Sequence, residues 1–235
     1  MKKIIYISVG INIILLFIIS YAIYEKGGVS YLKLKLNPPI ESLHYDNVFY
    51  LTKKSIFEIM PNDTNGIIFV GNSITSNIDW HELFSNPKII NRGIGDDVVV
   101  GVIARLPEIV RLKPKQIFLM IGTNDLAKNI SVNQLLINYE KLVSQIKEKS
   151  PQTKLYIESI LPIHDILNRN NDDIIAANLG IKSISEKHGC TYVNLFDLLK
   201  TEKNELDTAY TFDGLHLNGK GYLIWKKAVE MYIGN

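Results

Sequence analysis

The sequence predicts an α/β fold in which a five-stranded parallel sheet is covered by helices on both faces. From Gly66 onward, short apolar runs rich in β-formers alternate with amphipathic stretches of helical periodicity. Turn residues separate these segments. Hydrophobic residues make up 46% of the 235-residue chain, which is enough for an ordinary core. The length and composition together predict one folded domain of roughly 170 residues behind an N-terminal segment.

The strands are predicted where the apolar runs are short and turn residues bound them. In order, these runs are Ile67–Gly71, Lys88–Asn91, Gln116–Ile121, Lys154–Ile160 and Thr191–Asn194. In a parallel sheet of this kind, ligands bind beyond the carboxyl ends of the strands. The loops that follow the strands are therefore the places to look for chemistry.

The helices are predicted where apolar residues recur at intervals of three and four. These stretches are Val98–Leu112, Asn133–Lys149, Asp172–His188 and a closing helix, Asn218–Ile233. Pro114 and Pro151 follow helix ends, and His188-Gly189 is typical of a C-terminal cap. Trp80 and Trp225 are predicted to pack in the core.

The N-terminal stretch is predicted to cross a membrane. Residues 4–24 contain no charged side chain, and 21 helical residues at about 1.5 Å each span roughly 30 Å, the thickness of a bilayer's hydrocarbon core. Lys2 and Lys3 precede this stretch, which favours a cytoplasmic N-terminus. The alternative is a cleaved secretory signal, with small residues in Ser20-Tyr21-Ala22 for the peptidase. Both alternatives place the rest of the chain outside the cytoplasm, attached to the cell membrane or secreted.

The remaining chain is divided into a spacer, residues 26–65, and a folded domain, residues 66–235. Gly27-Gly28, Pro38-Pro39 and scattered lysines are typical of a spacer. The 26 basic and 24 acidic residues are dispersed and give a net charge of +2. Without a basic field that could grip a phosphate backbone, nucleic acid is not an expected partner.

The loop after the first strand carries a candidate nucleophile. Ser73 follows Gly71-Asn72 and precedes a short helical stretch, whose backbone N–H groups can point at an oxyanion. Serine is also a common N-cap residue. The second glycine of the Gly-x-Ser-x-Gly elbow is missing, which argues against an ordinary α/β-hydrolase.

Two further loops supply candidate hydrogen-bond donors. Asn91-Arg92-Gly93-Ile94-Gly95-Asp96-Asp97 follows the second strand, and its glycines allow the backbone to approach a bound group. Val98 stands where a dinucleotide-binding loop needs its third glycine, which excludes that interpretation. Gly122-Thr123-Asn124-Asp125 follows the third strand, and Asn124 can aim its side-chain N–H₂ at the same point, although asparagine often serves turn chemistry alone.

The last loop, Asp213-Gly214-Leu215-His216, comes directly before the closing helix. A nucleophilic serine needs a base with a pKa near neutrality and a carboxylate that orients the imidazole. Asp213 and His216 can supply both from one turn. Four loops, each predicted to end at the same edge of the sheet, thus contribute a nucleophile, two sets of donors and a base with its orienting acid. Such a site needs no metal and no cofactor.

These four blocks, in this order, resemble those of the SGNH hydrolases, also called the GDSL-type esterase/lipase superfamily. The resemblance covers residues 66–235. Within the superfamily, the residues of the four blocks are similar to those of the branch that holds platelet-activating-factor acetylhydrolase-like proteins and bacterial carbohydrate O-acetylesterases. It implies a flavodoxin-like three-layer α/β/α domain with a metal-free Ser-His-Asp site. In such a site Ser73 would be the nucleophile, His216 the base and acid, and Asp213 the residue that orients His216.

The resemblance also implies an oxyanion hole, in which the Ser73 N–H and the Asn124 side chain would be two donors. Counted from Asn91-Arg92-Gly93-Ile94, the family's third donor falls closer to Asp96 than to Gly95, so either backbone N–H is a candidate. The Asp96 carboxylate would oppose the developing charge unless it pointed away. A second departure is Asn72, which replaces the aspartate usual in the first block and has no named catalytic role.

Three functional hypotheses follow from these residues. The first is a serine esterase that removes a small acyl group, in the simplest case acetyl, from an ester on a carbohydrate. The second keeps the site and makes the protein an O-acetyltransferase that acts on a surface polysaccharide. The third is a membrane-tethered binding protein that kept the fold and lost catalysis.

Overall fold

The structure is a computed structural model that describes residues 2–25, 28, 47–61 and 65–233. The chain forms two compact units, Met1–Asp46 and Asn47–Asn235. In the first unit, helix α1 spans Lys2–Glu25 and covers the stretch predicted to cross a membrane. Within the described residues, no helix combines the length and the apolarity of a membrane span. The predicted membrane helix therefore has no support from the structure.

The second unit begins at Asn47, well before the predicted start of the domain. Helix α2 (Val48–Ile59) follows, and its Tyr50 and Phe57, which lie seven residues apart, are buried. The spacer prediction is therefore wrong for α2, which belongs to the folded domain. Several other apolar residues of α2 are exposed, and they obscure the one-sided pattern by which a packed helix is recognised in a sequence. Most of the remaining predicted spacer lies outside the described residues.

Five parallel strands form the predicted sheet in the order β2-β1-β3-β4-β5, which is the flavodoxin-like order. Gly71, Gly93 and Met120 lie side by side where the first three strands end. The first three functional loops thus leave the sheet at adjacent points. The strands are β1 (Ile67–Gly71), β2 (Ile89–Gly93), β3 (Gln116–Met120), β4 (Lys154–Glu158) and β5 (Thr191–Val193).

Helices cover both faces of the sheet and make the predicted three-layer domain. They are α3 (Ser73–Ser76), α4 (Trp80–Leu83), α5 (Val99–Ala104), α6 (Leu106–Arg111), α7 (Thr123–Ala127), α8 (Val132–Lys149), α9 (Asn171–Lys187), α10 (Phe196–Leu199) and α11 (Gly219–Val229). The stretch predicted as a single helix, Val98–Leu112, is two helices that meet at Arg105. The chain breaks there because Pro107 has no N–H for a continuous helix and the Arg105 side chain turns inward to pair with Asp97.

The core beside α11 is aromatic. Phe69 of β1 stacks on Trp80, with ring centroids 4.1 Å apart, and on Phe118 of β3, at 4.8 Å. Trp225 of α11 meets Trp80 edge-on at 4.8 Å. Both tryptophans are fully buried, which confirms their predicted place in the core. This packing fixes the closing helix against the segment that follows β1.

Candidate active site

The structure brings Ser73, His216 and Asp213 into a continuous series of hydrogen bonds. Ser73 Oγ lies 3.0 Å from His216 Nε2, and His216 Nδ1 lies 2.6 Å from Asp213 Oδ2. The loop after β1 and the loop before α11 therefore meet although they are distant in sequence. An imidazole between a hydroxyl and a carboxylate is placed to accept the hydroxyl proton.

Ser73 is the first residue of α3, and the turn around it is capped locally. The Asn72 side chain accepts a hydrogen bond from the Ile74 N–H at 3.0 Å. The Ser73 N–H has no acceptor among the described residues, so it can donate to a ligand. From α11, the Tyr222 hydroxyl donates to the Ile74 carbonyl at 2.7 Å. The closing helix thus holds the nucleophile turn, and the loop before this helix presents the imidazole.

The second block supports the Ser73 turn from β2. Asn91 Nδ2 donates to the Thr75 carbonyl at 3.1 Å, and Asn91 Oδ1 accepts the Gly93 N–H at 2.8 Å. Gly93 packs so closely on α3 that a Cβ there would lie 2.4 Å from the Ser76 nitrogen. A glycine is required at this position because backbone occupies the space of a side chain.

The predicted oxyanion donors lie on the loops after β1, β2 and β3. The backbone N–H groups of Gly95 and Asp96 have no acceptor among the described residues, so both are available. Asn124 Nδ2 donates to the Asp97 carbonyl at 3.0 Å, which leaves its second hydrogen for a ligand. Three loops thus offer unused N–H groups beside the end of the sheet.

The Asp96 carboxylate, which was predicted to oppose the negative charge of an oxyanion, has a cationic partner. Asp96 adopts a left-handed backbone conformation, with φ +63°, and its Oδ2 lies 2.6 Å from Lys128 Nζ. The ion pair compensates the negative charge beside the oxyanion donors. Among the described residues, no group of three or more His, Cys, Asp or Glu side chains is placed to hold a metal ion.

Arg169, which sequence reasoning missed, fixes the Asn124 side chain. Its Nη2 donates to Asn124 Oδ1 at 3.0 Å, and its Nε donates to the Thr123 carbonyl at 3.3 Å. Because a guanidinium only donates, the amide oxygen must face Arg169 and the Nδ2 group must face away from it. Arg169 lies in the loop before α9 and belongs to no recognisable motif, so no signal in the sequence could have found it.

The turn that carries Asp213 and His216 stabilises an ionised carboxylate. Asp213 Oδ1 accepts the backbone N–H groups of Leu215 and His216 at 2.9 and 2.7 Å. Burial raises the pKa of Asp213, but these bonds and the bond from the His216 ring outweigh burial and lower the pKa to about 2. The carboxylate is therefore charged at neutral pH and can stabilise an imidazolium.

Gly214 lets this turn approach the loop after β4. Its φ is +79°, and a Cβ there would lie 2.0 Å from the His164 carbonyl oxygen. The His164 N–H in turn donates to the Gly214 carbonyl at 2.8 Å. The backbone of the loop after β4 thus packs directly against the turn that carries Asp213 and His216. Any side chain at position 214 would push this loop and this turn apart.

A buried ion pair between Arg105 and Asp97 connects the loop after β2 to the end of β1. Arg105 Nε lies 2.8 Å from Asp97 Oδ2, and Arg105 Nη2 donates to the Gly71 carbonyl at 3.2 Å. In the third loop, the Asp125 carboxyl accepts the Val99 N–H at 3.2 Å. These contacts fix the relative positions of the loops after β1, β2 and β3.

The comparisons with known proteins show the family to which the chain belongs. Residues 69–224 match the model of the GDSL-like lipase/acylhydrolase family. The rat protein platelet-activating factor acetylhydrolase IB subunit alpha2 (Rattus norvegicus) is 29% identical over 165 residues, which cover 66% of this chain and 70% of that protein. The matched family segment includes the Ser73, Asp213 and His216 positions and starts well after α2.

Two solved structures share the fold. A GDSL-like lipase from Bacteroides thetaiotaomicron is 23% identical with a TM-score of 0.69, covering 78% of this chain and 96% of that one. An acetylxylan esterase from Geobacillus stearothermophilus is 19% identical with a TM-score of 0.59, covering 74% and 97%. The family match extends over more than half of the chain and confirms the resemblance to SGNH hydrolases. The chain therefore belongs to the GDSL-like lipase/acylhydrolase family, whose members hydrolyse ester bonds.

Proposed function

We propose that this protein is a serine esterase that removes an acetyl group from an ester on a carbohydrate. The observation that carries the proposal is the series of hydrogen bonds from Ser73 Oγ through the His216 ring to Asp213, at 3.0 and 2.6 Å. His216 accepts the Ser73 proton as the oxygen attacks the acyl carbon. Asp213 holds the ring in the correct tautomer and stabilises its charged form.

The developing oxyanion meets donors from three loops. The N–H of Ser73, the N–H of Gly95 or Asp96, and Asn124 Nδ2 surround the carbonyl oxygen, and donors fixed in advance are worth most there. His216 then gives its proton to the leaving alcohol. In the second half of the reaction, a water deprotonated by His216 attacks the acyl-enzyme and releases the acid.

The choice of acetyl is supported by the relatives. The rat relative is named an acetylhydrolase, and one structure with the same fold is an acetylxylan esterase. Only the second of these names points to a carbohydrate. The Asp96–Lys128 ion pair favours a working site over a binding protein that has lost catalysis, because the lysine partly compensates the charge that would oppose an oxyanion.

Export of the protein is a separate proposal that rests on the sequence alone. The 21 uncharged positions of residues 4–24 support placement outside the cytoplasm, either membrane-attached or secreted. Protease added to intact cells should then digest the domain. A domain that is digested only after the cells are lysed would contradict export.

The mechanism is tested with the full chain and its Ser73→Ala variant. A fluorophosphonate should label the natural protein at Ser73 and leave the variant unlabelled. The natural protein should release acetate from 4-nitrophenyl acetate and from an acetylated xylo-oligosaccharide. Full activity of Ser73→Ala would contradict the mechanism. Acetyl transfer to an added sugar, in excess of acetate release, would identify an O-acetyltransferase instead.

A further inference from the structure

Arg169 carries hydrogen-bond donors that the described protein does not use. A guanidinium has five N–H hydrogens, and the contacts to Thr123 and Asn124 occupy two of them. Arg169 forms no ion pair with any carboxylate of the described residues, whereas the buried Arg92 and Arg105 both do. Three donors of a charged group are thus left for a ligand, on the side of Asn124 that carries its amide oxygen.

Arg169 lines a groove of about 770 Å³. The groove runs between the loop before α8 and the loop before α9. Its lining is rich in short polar side chains, among them Asn129, Ser131, Asn133 and Asn168. Amide and hydroxyl groups of this kind both donate and accept, which suits the hydroxyls of a sugar. Arg169 lines this groove and also contacts Asn124, so it links the groove to the proposed oxyanion donors.

The carboxylates around the groove have other partners. Asp173 lines the groove, but its Oδ2 accepts the Asn170 side-chain N–H at 2.7 Å. Asp96 is close enough to oppose the lowering of the Arg169 pKa that burial causes, and Asp96 is itself paired with Lys128. Arginine stays charged at any physiological pH, so the groove holds a cation without a protein counter-ion in contact.

We propose that Arg169 binds an anionic oxygen group, a carboxylate or a phosphate, on the alcohol part of the substrate. This inference rests on the proposed esterase function and narrows its substrates to acidic acetyl esters, such as an acetylated uronic acid or an acetylated sugar phosphate. A planar guanidinium recognises such a group through paired, charge-assisted hydrogen bonds. Arg169 is then a positioning residue for Asn124 and also a binding residue for the anion.

The test compares matched charged and neutral substrates on the full chain. One pair is an acetylated glucuronide and its methyl ester, and the other is acetylated glucose 6-phosphate and acetylated glucose. We expect kcat/KM to be about tenfold higher for the anionic member of at least one pair, mainly through KM, and the preference to shrink with added salt. The pair that shows the preference identifies the anion as carboxylate or phosphate.

Three variants assign this preference to Arg169. Arg169→Gln should abolish the preference in kcat/KM for the anionic over the neutral substrate. Arg169→Lys should retain part of this preference, because the positive charge remains and the paired N–H donors of the guanidinium are lost. Lys182→Gln, at an exposed position on α9 that lines a different cavity, should keep the full preference. A purely structural role for Arg169 would lower kcat on both members of a pair and leave the preference unchanged.

The inference is overturned if the natural protein shows no preference in either pair, or if the preference survives in a folded Arg169→Gln or is equal in Arg169→Lys and the natural protein. Failure of the proposed function looks different. In that case neither the neutral nor the charged ester is cleaved in a Ser73-dependent way.

Discussion

Two loops at the same edge of the sheet each carry an aspartate, and their surroundings act on it in opposite ways. In the loop before α11, the Asp213 side chain is 54% exposed, and hydrogen bonds bring its pKa to about 2. In the loop after β3, Asp125 is fully buried, and burial, with a smaller contribution from Asp97, raises its pKa to about 8 despite the bond from the Val99 N–H. The exposed carboxylate is placed for the proposed reaction, and the buried carboxyl accepts the Val99 N–H and serves the fold.

The comparison is tested most severely by Asp213→Asn. An amide at this position cannot accept two hydrogen bonds and also stabilise an imidazolium, so we expect kcat on 4-nitrophenyl acetate to fall about 10³–10⁴-fold. Thermal unfolding should change far less than activity, because the side chain is largely exposed and the asparagine oxygen can still accept the N–H groups of Leu215 and His216. Asp207→Asn, in a neighbouring turn, is the matched control and should keep its activity. A loss of activity explained by unfolding of Asp213→Asn would contradict the division of roles.

Asn124→Ala tests the chemistry of the other loop. Loss of one oxyanion donor typically lowers kcat about 10²–10³-fold. The isosteric Asn124→Asp should lose at least as much, because a carboxylate cannot donate and would repel the oxyanion. Both are measured by steady-state kinetics on an aryl acetate. A loss confined to KM would exclude Asn124 from the transition state.

The side chains proposed to react could be placed together from the sequence because their geometry is local or follows from strand topology. Asp213 and His216 are three residues apart in one turn, and Ser73 and Asn124 follow strands whose carboxyl ends share an edge. Arg169 reaches Asn124 across 45 positions, through a loop whose path no periodicity describes. Sequence reasoning therefore identified the candidate reacting groups that the structure brings together, and it missed Arg169, which holds one of them.

Helix α2 was also missed because its contacts are with residues distant in sequence. Like the two aspartates, it has a buried part that supports the fold and an exposed part near the site. Tyr50 donates to the Gly101 carbonyl at 2.8 Å, and Phe57 packs with Ile94 and under the Arg92 guanidinium at 4.5 Å. The family match starts after α2, so this helix is a separate support for the second functional loop.

Phe57→Ala should therefore reduce stability and leave the chemistry alone. We expect the free energy of unfolding to fall by about 3 kcal/mol, since the ring is nearly fully buried and its removal leaves a cavity. Phe212→Ala removes a ring that is 95% exposed and should change stability by less than about 0.5 kcal/mol. Urea titration measures both. Equal effects of the two substitutions would show that α2 does not support the domain.

The pH dependence of stability sharpens the contrast between the two aspartates. Asp125 has a folded-state pKa raised to about 8, so its contribution is complete below about pH 4 and is lost as the pH rises through 8. Asp213 has a lowered pKa, so its contribution is lost only as the pH falls from about 4 to about 2. Between pH 5 and 8, we therefore expect unfolding to become easier by a few kcal/mol at most.

Asp125→Asn should flatten this slope, as measured by urea unfolding at three pH values. Glu158, whose pKa burial also raises to about 8 despite the hydrogen bond from Trp225, should leave a residual slope of the same sign. Glu158→Gln removes that second part independently. A slope in the Asp125→Asn protein equal to that of the natural protein would show that Asp125 is ionised in the folded state.

The smallest expected effect is at Phe49, the exposed end of α2. Its ring lies against Gly95, where a Cβ would come within 3.1 Å of Phe49 Cε1, and the side chain is 52% exposed. Phe49 thus narrows the space beside the loop that would hold the ester oxygen. Phe49→Ala should therefore raise the ratio of butyrate to acetate hydrolysis a few-fold, a change of about 1 kcal/mol or less in relative barriers. Ile59→Ala, 83% exposed at the other end of the helix, should keep the original ratio. An unchanged ratio in Phe49→Ala would confine α2 to structural support, whereas a changed one would extend the substrate site beyond the segment that matches the family.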